Sequence, residues 1–461
     1  MSTTASSQKL WSPKWITILI TACLYSVTQA AVFMYAALIV ELLSLVPIVT
    51  RFNDEKIIAN CIDFLIVSVI MPDNYCILIA ICYFAIKIGH GRFELRTLLY
   101  FLFLAIYCAL NVILRRVPIN NIIVSCIYIV PFFLIYGSCS LFRKRSPDCG
   151  NYILLGLKRM TLIEIVSVLL YAISHVSIVA SYGDMDWVSG TMGSYQANTL
   201  MCVCSFTLLI FLEAIKRGDR TCVPWCVGAG ILMVSTSSVS YLAVFALAFT
   251  TMALSSWNIH FPERAAIAIL AIVAAVAFVS VSPAWISNEV VKMTDVGYAR
   301  ARLDKVKYYE RTFIDLPSNE GSSFFYFGTG LGTYSSRSAM TCAGGYIDFY
   351  DKHFRSYSSF YRLKYLSDQD REKGLASMAD SSIVSVQGEL GFIGLVAITI
   401  FAVGVFLKAK DPFYRMAVLF FFGLFFVDNA LEYAKFYSLF SLVVAYTADP
   451  SGRKTGLEER H

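Results

Sequence analysis

Two carboxylates stand in the stretch Met378-Ala-Asp380-Ser-Ser-Ile-Val-Ser-Val-Gln-Gly-Glu389-Leu-Gly391-Phe-Ile-Gly394, where polar sequence gives way to a long apolar run. A carboxylate takes a proton from an attacking hydroxyl when desolvation raises its pKa. Asp380, at the edge of the apolar run, is the first candidate for such a base, and the same position suits the N-cap of the helix expected there. Glu389 falls inside the apolar run, where an ionisable group is costly and by default faces a bundle interior or a cavity. His353, within Asp351-Lys-His-Phe-Arg355, is a further reserve in a run that otherwise reads as solvated surface.

Arginine is the second chemical resource. Arg300, Arg302, Arg311, Arg337, Arg355, Arg362 and Arg371 all fall between residues 284 and 382, and Arg115-Arg116 stands between two apolar runs. A permanent charge on a planar fork suits a bidentate anionic group such as a carboxylate or a phosphate. Of the seven between residues 284 and 382, about two or three are expected to hold an anionic group and the rest to pair with surface acids. The turn Phe327-Gly328-Thr-Gly330-Leu-Gly332, followed by Thr333, Tyr334 and Arg337, offers a tight path with exposed N–H groups. It reads either as a nest for an anion or as a plain turn. No nucleotide-binding P-loop, no paired C-x-x-C, no H-E-x-x-H and no dinucleotide-binding glycine signature is present, and no metal site or cofactor is expected.

The elements that must position these residues are set by composition. Of 461 residues 57% are hydrophobic, 15% aromatic and 15% charged, and mean hydropathy is +0.64. That leaves too little polar surface to wrap a water-soluble core, so a soluble enzyme is excluded and an all-α polytopic membrane protein is expected. The net charge of +6 is spread over short clusters between apolar runs, which argues for membrane topology and against nucleic acid as a partner. Most of the thirteen cysteines sit inside apolar runs, Cys108 and Cys126 among them, and read as small hydrophobes.

Apolar runs at 15–32, 34–50, 57–71, 74–88, 97–114, 119–141, 161–181, 196–215, 222–236, 239–257, 264–283, 383–407, 413–428 and 431–448 predict about fourteen helices (range about 12–14), the first pair being one long helix or two with a turn near Gln29. Basic loops at Lys87 to Arg96, Arg143 to Arg159, Lys216 to Arg220 and Lys408 to Arg415 alternate with acidic or neutral ones. By the positive-inside rule this places residues 284–382 outside, with Arg115 and Arg116 as the exception on the outer side. The expected division is a bundle of about eleven spans over 1–283, one large periplasmic loop over 284–382 capping it, about three spans over 383–448, and a cytoplasmic tail over 449–461. The loop's many aromatics argue for order, since disordered segments are aromatic-poor.

Four stretches, in this order, resemble the O-antigen polymerase and ligase superfamily of bacterial surface-polysaccharide enzymes: Ser189-Gly-Thr-Met-Gly-Ser-Tyr-Gln-Ala-Asn198; Arg302 with Tyr308-Tyr309; Phe327 to Tyr334; and Asp380 to Gly394. Asp380 stands where ligases carry histidine, which favours a repeat-unit polymerase over a ligase. The Ser-Arg pair common in the family has no counterpart in Ser235-Thr-Ser-Ser-Val-Ser-Tyr241, and Arg115 and Arg116 are expected to supply its charge.

The resemblance implies a GT-C-like glycosyltransferase of the bacterial inner membrane, metal-independent and inverting. It would transfer a growing glycan from undecaprenyl pyrophosphate to a sugar hydroxyl of the next lipid-linked unit at the periplasmic face, with a chain-length regulator as a partner. Asp380 and Arg302 are the expected catalytic residues. Arg300, Arg337, Arg355, Arg362, Arg115, Arg116, Gly328, Gly330, Gly332, Asn198, Glu389 and His353 are the expected contacts to pyrophosphate and glycan. The alternatives are an O-antigen ligase, which would use lipid A core as acceptor, and a lipid-linked oligosaccharide flippase. Transporters usually show related halves and short loops, whereas this chain concentrates its extramembrane mass in one late loop.

Overall fold

The computed structural model describes residues 11–51, 54–71, 95–146, 148–176, 188–192, 196–236, 238–255, 306–343, 360–366 and 381–447. These are mostly helical, with no strand among the described residues. The long elements are α1 (Pro13–Thr28), α2 (Val32–Arg51), α3 (Asp54–Ile70), α4 (Leu95–Arg115), α5 (Ile119–Arg145), α6 (Cys149–Ser174), α7 (Ala197–Lys216), α8 (Val223–Ser235) and α9 (Val239–Ser255). Short helices α10 (Leu316–Glu320), α11 (Ser322–Phe327), α12 (Arg337–Ala343) and α13 (Phe360–Leu366) follow. The chain returns through α14 (Ser382–Lys408), α15 (Pro412–Gly423) and α16 (Ala434–Thr447). The expected spans 74–88 and 264–283 lie outside the described residues.

Among the described residues, three stretches are by length and composition apolar and long enough to cross a membrane: Ile119–Cys139 in α5, Ala197–Lys216 in α7 and Ser382–Lys408 in α14. Of the last, only 11% of the most apolar window is buried, leaving Ile400 and Leu407 about as exposed as side chains become on a helix. An apolar face of that extent is compatible with a lipid environment. The centre of the bundle is α16, buried along its whole length and packed against α3, α5, α6, α7 and α15.

Local chemistry sets the element ends. Ser12 caps α1 by accepting from the Trp15 N–H, with Pro13 at the first helical position. The segment 15–50 is two helices: Gln29 adopts the left-handed conformation (φ 54°), and its N–H donates to the Tyr25 carbonyl at 2.7 Å. Helix α6 starts twelve residues before the expected 161, because Arg159 does not need water. It is buried beside Asp63 (3.8 Å) and lies over the Trp15 ring. Asp63 and Glu41 also hold Lys14, at 2.7 and 3.0 Å, so four charges clamp α1, α2, α3 and α6 together. In the segment before α14, Pro317 offers no N–H to the preceding turn, which widens to a π turn over Arg311–Asp315.

Candidate functional site

The site grows from a break in α14. Gly391 interrupts the helix with φ 68° and ψ −167°, a region essentially reserved for glycine. The break frees the carbonyls of Gly388 and Glu389 from their helical partners. They accept instead from the N–H groups of Thr329 (2.7 Å) and Gly330 (3.0 Å) in the glycine turn. Gly328 has nearly the same conformation, φ 65° and ψ −167°. A Cβ on Gly328 would lie 2.4 Å from the Glu389 carbonyl carbon, and one on Gly391 would lie 2.4 Å from the Tyr326 carbonyl, so the two segments cross backbone on backbone.

Glu389 then locks the crossing. One carboxylate oxygen accepts from the Gly332 N–H at 2.6 Å; the other accepts from the N–H groups of Tyr334 and Ser336, both at 3.1 Å. The side chain is buried. The alternating glycines do form a nest, but the anion it holds is the chain's own. The N–H groups of Gly332, Tyr334 and Ser336 are therefore committed to Glu389, and Gly332 with its neighbours packs the turn against α14. Tyr334 lies flat against Gly388, where a Cβ would strike its ring, and its hydroxyl pairs with Thr312 at 3.0 Å.

A second carboxylate repeats the device. Glu432, in the turn Ala430–Glu432 between α15 and α16, accepts from the Arg337 N–H at 2.5 Å and from the Ser338 hydroxyl at 3.3 Å. Burial, reinforced by the charge of Glu389, pushes the Glu432 carboxyl up to about 7, against the pull of Arg337 and the N–H donors. The Arg337 guanidinium stacks 3.5 Å above the Tyr433 ring. Between Glu389 and Glu432 is a cavity of about 20 Å³, room for one water-sized body, lined also by Ser336, Ser382, Ser385 and Asn429.

The elbow between α4 and α5 closes the other side. Asn111 accepts from the Leu331 N–H at 3.0 Å while donating to the Tyr107 carbonyl at 2.9 Å. Asn121 donates to the Gly332 carbonyl at 2.5 Å, and Ser125 donates to Ser338 at 3.0 Å. Gly330 abuts Val117 and Asn111, where no Cβ would fit. Arg115 donates to the Ser323 carbonyl at 2.8 Å and stacks 3.9 Å over Phe324. Arg116 is exposed and left-handed (φ 52°), an uncommon backbone state for a residue with a Cβ.

The N-cap of α14 is Ser381, not Asp380, because the helix begins one residue later than expected. The Ser381 hydroxyl oxygen accepts from the Val384 N–H at 3.4 Å and pairs with the Tyr309 hydroxyl at 2.7 Å. Ser385 donates to Asn429, whose amide donates to the Ser335 carbonyl, tying the return helix to the glycine turn a second time.

The fold thus brings together Gly328, Gly330, Gly332, Arg337, Glu389 and Arg115, with Arg116 on the adjoining rim. Asn198 does not join them: it is exposed and accepts from the Ser238 hydroxyl, joining α7 to the start of α9. Its neighbour Gln196 makes the link, accepting at 3.1 Å from the hydroxyl of Tyr433, the ring that carries Arg337. The same glycine-threonine segment packs on Glu164, which accepts from the Thr191 N–H (3.0 Å) and hydroxyl (2.5 Å). Arg362 lies in α13. Asp380, Arg300, Arg302, His353 and Arg355 lie outside the described residues. Among the described residues, no group of three or more His, Cys, Asp or Glu is arranged to hold a metal ion. Asn111, Asn121 and Glu432 are site residues that sequence reasoning missed. The available signal was an amide or carboxylate standing in or beside an apolar run.

No protein-family model, curated protein or solved structure matches this chain.

Proposed function

We propose that this chain polymerises polyprenyl-pyrophosphate-linked oligosaccharide repeat units at the periplasmic face of the bacterial inner membrane. The observation that carries the reading is the clasp made by Glu389 on Gly332, Tyr334 and Ser336. It joins two of the four stretches that resemble the O-antigen polymerase and ligase superfamily into one packed unit, as segments of a common site would be. In this reading the bundle has about fourteen spans in a GT-C-like arrangement, with the large late loop as an outer cap.

The acceptor sugar hydroxyl attacks the anomeric carbon of the donor glycan. A new C–O bond forms, the bond to the pyrophosphate oxygen breaks, and undecaprenyl pyrophosphate leaves with both electrons of that bond. Asp380 takes the hydroxyl proton, while Arg302 and its neighbours neutralise the leaving group. Arg116 is exposed, beside the anchored Arg115. Glu389 is a positioning residue: both its oxygens are engaged by N–H donors, so it shapes the turn and does not receive the proton. The test is whether purified protein in detergent lengthens a lipid-linked repeat unit. A flippase moves such a unit and leaves it unchanged.

A further inference from the structure

Two thiols face each other across the elbow that holds the glycine turn. Cys108 on α4 and Cys126 on α5 have their sulfurs 4.0 Å apart, both partly buried. A disulfide needs about 2.05 Å, so the sulfurs must close by about 2 Å. Cys108 lies three residues before Asn111 and Cys126 five residues after Asn121, the two amides that bond the turn at Leu331 and Gly332. A bond between the sulfurs would pin both amides where the turn needs them.

We propose that Cys108 and Cys126 are a reversible redox pair, oxidised by a lipid-soluble quinone. Both cysteines lie on helices whose neighbouring apolar side chains, among them Ile106, Leu110 and Ile123, are exposed, so an oxidant arriving through an apolar phase has access. Two S–H bonds break and one S–S bond forms. The two electrons and two protons reduce the quinone to the quinol. The described cysteines Cys61, Cys139, Cys149 and Cys342 are buried and serve as internal controls. This pairing does not depend on the reaction proposed above.

The test uses the full-length protein in lipid nanodiscs, incubated with a short-chain ubiquinone, alkylated with a maleimide and digested. The expected result is a cross-linked peptide joining Cys108 to Cys126, with loss of two alkylatable thiols per chain that return on treatment with dithiothreitol. Cys108→Ser and Cys126→Ser should each abolish the loss. Free alkylation of both cysteines in the wild type after quinone treatment would overturn the proposal, and that wild-type measurement holds even if a serine variant fails to insert.

Discussion

Gly328 and Gly391 share one backbone conformation, and a Cβ on either would collide with main-chain atoms of the other's segment. The pairing is mutual: the loop glycine needs the helix to break, and the helix glycine needs the loop to pass. Gly328→Ala and Gly391→Ala should therefore each sharply reduce the folded fraction. The backbone state alone costs about 1–3 kcal/mol, and the clash adds to it. Gly404→Ala, with open space around it, should leave the yield unchanged. Fluorescence-detected gel filtration of the three variants distinguishes these outcomes.

Replacing Glu389 by Gln keeps the shape but turns an acceptor into an NH₂ group aimed at backbone N–H donors. A buried donor left without an acceptor costs about 1–3 kcal/mol. Glu389→Gln should lower the melting temperature in detergent and increase proteolysis near Gly332. Wild-type melting behaviour would show that the three N–H groups find other partners.

Glu432 gives a pH dependence of definite sign. Its folded-state pKa of about 7 lies above the ordinary 4.5, so the folded state binds the proton more tightly than the unfolded one. Its contribution to stability is greatest below pH 4.5, falls as pH rises toward 7 and is level above that. Glu432→Gln should remove this part of the slope, about 3 kcal/mol across the window at most. The measurement is the difference between wild-type and variant melting temperatures at several pH values.

Asp380, the base of the proposed reaction, and Ser381, the cap of α14, can be separated by substitution. Because Ser381 is the cap, Asp380→Asn should fold normally while losing about 10²–10⁴-fold in rate as a missing base. Ser381→Ala should cost about 1 kcal/mol in stability with the chemistry intact. Near-normal polymerisation by Asp380→Asn would leave the base role empty.

Much of this arrangement was legible in the sequence, and the reasons differ by element. The helices of the described bundle follow the apolar runs because burial and lipid both demand apolar stretches of fixed length. Helix α6 escaped because a buried ion pair let Lys158-Arg159 continue a helix where charge usually marks a loop. The glycine turn and Glu389 were each visible as unusual residues, but that one serves the other depends on contacts far apart in sequence. No local pattern encodes such a contact. The same holds for Asn111 and Asn121: their partners, Leu331 and Gly332, lie more than two hundred residues away.

The most direct test supplies purified protein with a synthetic polyprenyl-pyrophosphate-linked repeat unit in detergent and follows lengthened glycans by gel and freed polyprenyl pyrophosphate by mass spectrometry. The expected result is a ladder of lengthened lipid-linked glycans, with one polyprenyl pyrophosphate freed for each new linkage. A substrate recovered unchanged, with no ladder and no free polyprenyl pyrophosphate from folded protein, would contradict it.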